Sequence, residues 1–188
     1  MKMNNGQYLM YVRVAYMKEY KGINEDDTPY GGGGFVEDTG KAHEEFNFLP
    51  FEDNLYGFFM MRGELNIKRL GAQNDEFADD VLVIIVAPHP EKGNVIVGWY
   101  DHAKVYRNHQ PYPENINREK EGFDYNFLAE SKDCFLVPES ERIVLFPDNF
   151  TNKMRRTFNW YAEDGEDEMI VSKTLDFMNQ MLIERKKS

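Results

Sequence analysis

At 188 residues, 41% apolar and 14% aromatic, the chain is long enough to bury a core and too hydrophobic to be a disordered segment. A formal charge of −11 argues against tight, non-specific binding to polyanions but leaves room for a local basic patch. No apolar run reaches membrane-span length, Arg13 interrupts the N-terminal apolar stretch, and Cys134 stands alone, so the expectation is a cytoplasmic protein with no membrane partner, no disulfide and no zinc knuckle.

In chain order, residues 8–16 read as a strand rich in Tyr, Val and Met. Residues 21–34 read as a loop ending in four glycines, with a brief strand at Phe35-Val36. The glycine run lacks the GK[ST] ending and the following helix of a phosphate loop, so it is expected to be an exposed turn or flap. Its glycines could let backbone approach a ligand. Residues 55–61 are a second strand, residues 65–70 a half-buried strand stopped by Gly71, and residues 72–80 an acidic loop. Residues 81–87 are the clearest buried strand; the turn at 88–93 returns the chain antiparallel through 95–100. Asp101-His102 is a short turn or bulge before a further strand at 103–107.

Residues 108–122 form a polar excursion, and residues 135–137 and 142–146 are short extended segments bounded by Pro138 and Pro147. Residues 159–162 are short and aromatic. In the tail, Ile170, Val171, Thr174, Leu175, Met178, Met181 and Leu182 share one helical stripe, with acids before it and Arg185-Lys186-Lys187 at its end. Such a stripe packs on a sheet or binds a partner. The fold expected is α+β: a curved antiparallel sheet or small β-barrel with peripheral helices and a C-terminal helix. Residues 1–162 form the recognition domain, and residues 163–188 an acidic linker and amphipathic helix.

The chemistry points to recognition more than to catalysis. Trp99, Tyr106, Trp160, Tyr161, Tyr56 and Phe48 offer faces for stacking on a base, and the Asn47 or Asn159 amide could read its edge. Arg69, Lys104, Arg107, Lys153, Arg155 and Arg156 are candidates to hold phosphates. His43-Glu44-Glu45 lacks the second histidine of a helical metal motif, and Cys134 beside Asp133 is a poor candidate thiolate. No cofactor or metal is expected. The enzymatic alternative is a small metal-dependent hydrolase or nuclease using His43, Glu44 and His102.

Several segments occur in a telling order. They are residues 16–22 (YMKEYKG), Gly32-Gly33-Gly34 before an aromatic–valine pair, residues 43–48 (HEEFNF), Tyr56-Gly57 and residues 67–71 (IKRLG). Val97-Gly98-Trp99-Tyr100 through Tyr106-Arg107, Leu136-Val137-Pro138 with Glu141-Arg142, and Trp160-Tyr161-Ala162 follow. Across residues 11–162 this set resembles bacterial modules found N-terminal to HNH-type nuclease domains. The resemblance implies a DNA-targeting module in a restriction or defence context, and a PUA- or EVE-like reader that takes a flipped, modified base into an aromatic pocket. It implies ligand-binding roles for His43, Glu44, Asn47, Tyr56, Trp99, Tyr106 and Trp160. Beside it, Arg107 and nearby basic groups are expected to hold the nucleic-acid backbone.

The chain departs from that pattern at Thr157-Phe158-Asn159-Trp160, where relatives tend to carry a Gly-Gln-Ser-like run. After residue 162 it carries only the acidic segment and the helix. The expectation is therefore a stand-alone reader, or a subunit acting with a separate nuclease or effector, whose ligand is DNA or something nucleotide-like.

Overall fold

A computed structural model of the chain describes residues 2–113, 116, 124–143, 158–162 and 167–187. In order these form β1 (Tyr8–Arg13), α1 (Gly34–Thr39), β2 (Asn54–Gly57), β3 (Phe77–His89), β4 (Gly93–Pro111), β5 (Asp124–Glu130), β6 (Cys134–Leu136), β7 (Asn159–Tyr161) and α2 (Glu168–Arg185). The seven strands make one mixed sheet in the order β2-β5-β4-β3-β1-β7, with β6 also paired to β4. The fold is α+β, and among the described strands the path runs from β2 to β7 without closing.

The sheet departs from the purely antiparallel expectation at one pairing. β1 runs parallel to β3, from Tyr8 opposite Val81 to Arg13 opposite Val86, and antiparallel to β7. Residues 14–76 return the chain to the same end of the sheet, as a parallel crossover requires. Flanked on both edges and covered on both faces, β1 is apolar at consecutive positions: Leu9, Met10, Tyr11 and Val12 are all fully buried.

The β3–β4 hairpin is the backbone of the sheet and turns where the sequence predicts. Residues 96–107 are one continuous strand, not a strand–turn–strand, and Asp101-His102 is a bulge within it. β3 carries a bulge of its own between Ala78 and Val81, so the two register slips offset each other. Asp80 and His102 sit at positive φ (57° and 51°), and His102 Nδ1 lies 2.7 Å from Asp80 Oδ1. The buried Gln7 amide donates to Asp101 Oδ1 at 2.7 Å and so ties the bulge to the start of β1.

Two cores flank the sheet. One contains Met10, Val12, Val83, Ile85, Val97, Tyr100, Val105 and Phe127. The other contains Leu9, Tyr11, Ile84, Val86, Ile96 and Trp99, and α2 covers it with Ile170, Val171, Phe177, Met178 and Met181. The predicted helical stripe therefore packs on the sheet, and α2 is part of the same core. Phe177 belongs to the stripe although the sequence pattern above omits it, while Leu182, near the stripe's rim, is exposed. Tyr11 Oη and Thr174 Oγ1 hydrogen-bond across the buried contact at 2.9 Å.

Other expected elements shift. Residues 67–70 form a turn of 3-10 helix, not a strand; the Gly71 N–H closes it from the left-handed region at φ 76°. Residues 58–61 leave the sheet after β2, and β3 begins at Phe77, inside the expected acidic loop. Of the expected strand at 142–146, Arg142 and Ile143 are not in a strand, and 144–146 lie outside the described residues. Among the described residues, no helix is long and apolar enough to cross a membrane.

Candidate functional site

A pocket of about 360 Å³ opens where β1 leaves the sheet. Val14 N still donates to Val86 O, extending the parallel ladder by one residue. The next amide, Ala15 N–H, has no strand to meet, and the Glu44 carboxylate accepts it at 2.5 Å. The Ala15 carbonyl accepts from Tyr20 Oη at 2.8 Å. Two side chains thus complete a backbone that strand pairing leaves open, and one of them is a carboxyl facing a cavity.

Burial pushes the Glu44 pKa up, against the lowering effects of the Ala15 and Glu44 amides and of the nearby Arg13 charge. Arg13, the last residue of β1, lines the same cavity and reaches the Gly31 carbonyl with Nη2 at 3.4 Å. Glu44 and Arg13 thus line one cavity within electrostatic reach of each other, and the exposed Glu37 adds a second carboxyl to its lining. Its other walls are mainly apolar: Phe35, Val36, Ala42, Met60 and Phe158. Phe35 is 44% exposed and Met60 39%, so the mouth is apolar. His43 also lines it, its ring 5.0 Å from Phe35 and 5.1 Å from Phe58, and Phe58 in turn contacts His109.

The glycine run shapes one wall. Gly31 is at φ 75°, and a Cβ there would fall 2.5 Å from Pro88; at Gly32 a Cβ would fall 2.2 Å from Val36 Cγ2. Gly31, Gly33 and Gly34 are exposed, as an exposed turn predicts, while Gly31 and Gly32 also pack too closely on Pro88 and Val36 for a side chain. Contrary to the sequence reading, a helix does follow, and Phe35-Val36 is its first turn, not a strand. α1 buries only Val36, in a small cluster with Ala15 and Ala42, and ends on Gly40 in the left-handed region.

Of the residues singled out from sequence, His43 and Glu44 meet in this pocket, and the others lie elsewhere. Asn47 is 1% exposed, and its amide pairs with the backbone of one residue: Nδ2 donates to Phe58 O and Oδ1 accepts from Phe58 N. Asn126 does the same for Phe59. Together they stand in for a missing strand beside residues 58–59. Trp99 is 2% exposed and stacks on Phe135, with ring centroids 4.6 Å apart. Trp160 packs on Tyr11 at 5.0 Å.

Tyr56 and Tyr106 join a separate cluster with Tyr125, at 4.9 and 5.6 Å from its ring. Burial is the first cause raising the Tyr106 and Tyr125 pKa values, so both phenols stay protonated at neutral pH. Arg107 is paired to Glu64 through Nε and Nη2 at 2.9 and 2.7 Å. Arg69 lies over the Tyr161 ring at 4.5 Å and Lys104 over Phe77 at 4.2 Å. Lys153, Arg155 and Arg156 fall outside the described residues.

His102, grouped with His43 and Glu44 in the enzymatic alternative, sits in the β3–β4 bulge beside Asp80 and does not line this pocket. Among the described residues, no three His, Cys, Asp or Glu side chains are grouped to hold a metal ion. Cys134 is buried, and burial raises its thiol pKa well above the ordinary value.

The pocket's main contributors missed by sequence reasoning are Arg13, Phe35, Met60 and Phe158. Arg13 had a signal, since a charge closing an otherwise apolar strand needs a reason; the others had none. Compared with known protein families, curated proteins and solved structures, the chain matches none.

Proposed function

We propose that this chain is a non-catalytic recognition module that takes a base, or a base-like heterocycle, into the Arg13–Glu44 pocket. One observation carries the reading: a cavity of about 360 Å³ joins apolar and aromatic walls to the Glu44 carboxyl and the Arg13 guanidinium, with His43 and the exposed Glu37 also on its lining. That volume lies within the range of small-ligand pockets, and a few fixed polar groups in an apolar cleft orient a flat ligand. Phe35 at the mouth supplies an exposed ring for stacking.

The resemblance to modules preceding HNH-type nucleases makes DNA the polymer proposed, with a flipped and modified base as ligand and a separate nuclease or effector as partner. The kinship with PUA- or EVE-like readers belongs to the same proposal, supported by a bulged sheet with a pocket beside it. Within this proposal, recognition moves from the Trp99 and Asn47 neighbourhood to the Arg13, Phe35, His43 and Glu44 pocket, because the former side chains are sealed in packing.

The test is binding of the full chain to short single- and double-stranded oligonucleotides, unmodified and carrying modified bases, at low and physiological salt. Saturable binding that Phe35→Ala weakens about tenfold or more, with the melting temperature retained, is the expected result. Flat titrations across the panel defeat the proposal.

A further inference from the structure

We infer that the polar end of this pocket selects a heterocyclic edge of the guanine type, with Glu44 accepting from two adjacent N–H groups and Arg13 donating to the neighbouring carbonyl. The inference rests on the base-recognition reading above and adds to it which base is taken and which residues choose it.

Hydrogen-bond capacity sets which ligand edge the two side chains can meet. An ionised carboxylate is acceptor-only, with about four lone-pair sites on two oxygens. In Glu44 the Ala15 amide occupies Oε1, and the residue's own amide also contributes. Those contacts fix the carboxyl's direction and leave acceptor capacity facing the cavity it lines. A guanidinium carries only donors, in a planar fork suited to a flat acceptor. Arg13 is steadied by the Gly31 carbonyl and lines the same cavity.

The complementary ligand edge must therefore present donors to Glu44 and an acceptor to Arg13. Among the four ordinary bases, guanine alone has a ring N–H beside an exocyclic amine on one side and a carbonyl on the other. Adenine has a single amine donor and no carbonyl. Cytosine has an acceptor nitrogen where guanine has its ring N–H, so it turns a lone pair toward the carboxylate. Thymine and uracil have one N–H between two carbonyls, and one of those carbonyls would face Glu44. Opposing lone pairs without a proton between them are costly in a site shielded from water.

Desolvation disfavours the ionised carboxyl, while the Ala15 and Glu44 amides and the Arg13 charge favour it. A ligand bringing two N–H donors acts in the same direction as Arg13. The edge and the site therefore stabilise each other in one protonation state.

The experiment titrates the full chain with guanosine, inosine, adenosine and cytidine, then with single-stranded oligonucleotides in which one guanine is replaced by adenine. Expected is a preference of roughly tenfold or more for guanosine over adenosine, the scale of one good bidentate contact, with inosine between them because it lacks the exocyclic amine. Which titration series shows the preference separates a free nucleoside ligand from a base within a strand. Glu44→Gln should reduce guanosine affinity about tenfold while leaving adenosine unchanged. Arg13→Gln is the second variant, should Glu44→Gln fail to fold. Equal affinity for guanosine and adenosine, or a preference for adenosine, overturns the edge assignment and leaves base recognition standing. Binding of none of these probes overturns the guanine-edge inference, and the modified-base oligonucleotides above decide the base-recognition reading separately.

Discussion

On the face covered by α2, Tyr11, Ile84 and Trp99 meet Ile170, Phe177 and Met181 in a continuous apolar layer, with Tyr11–Thr174 as a buried and satisfied polar contact. Beside α1 the construction is different. A six-residue helix is anchored through Val36, glycines bring the backbone into close contact, and Arg13 and Glu44 stand together in a cavity. The first region gains stability from area removed from water. The second holds a carboxyl in surroundings that oppose its ionisation, a state maintained by the rest of the fold. A desolvated carboxyl of that kind costs stability that an apolar layer does not.

The largest expected effect tests the first region. Trp99→Ala should destabilise the chain by about 3–5 kcal/mol, the usual cost of emptying a large aromatic site in a core, read by urea denaturation. A Trp99→Ala variant with parental stability would mean that the ring is not sealed against Phe135 and would return Trp99 to the candidate ligand set.

A middle effect tests the segment that leaves the sheet after β2, in the core on the opposite face from α2. Asn126→Ala should cost about 1–3 kcal/mol, because it leaves the buried Phe59 N–H and C=O without partners. The same denaturation series reads it, and a cost near zero would show that the asparagine does not replace a strand there.

The smallest effect, and the one specific to the pocket, comes from Glu44→Gln. Burial raises the folded-state pKa of Glu44 above its unfolded value, so the native state binds the proton more tightly. Stability from this group is fully present in acid, below the unfolded pKa, and is lost as pH rises through the folded pKa. Glutamine does not titrate. The variant's melting temperature should match the parent's in acid and exceed it progressively toward neutral pH. Arg13, His43 and Glu37 line the same cavity and are common to both proteins, so much of their own titration cancels in the difference. A difference that shrinks with rising pH would reverse the assignment and show Glu44 stabilised as a carboxylate.

The elements readable in the sequence were those whose pattern follows from local geometry. The β3–β4 hairpin was visible because a β-branched run meets a Pro- and Gly-bounded turn, and α2 because its apolar residues recur at helical spacing. Residues 67–70 misled because alternating apolar and polar positions over four residues suit a 3-10 turn as well as a strand. The pocket was half legible. His43 and Glu44 are named by the family resemblance and by the hydrolase alternative, whereas Asn47, three residues further along the same motif, is engaged by Phe58. Aromatic content could not separate Phe35, which is exposed, from Trp99, which is not.

By itself the sequence determined the α+β class, the central hairpin and the C-terminal helix, since periodicity and turn chemistry act over a few residues at a time. Only the tertiary structure decided that β1 pairs parallel to β3, that Asp80 and His102 share offsetting bulges, and that Arg13 and Glu44 line one cavity. Those outcomes depend on which distant backbone groups are left unpaired once the strands have docked. Ala15 illustrates the reason: its amide needs Glu44 only because β1 ends two residues earlier, and no local pattern in the chain records that need.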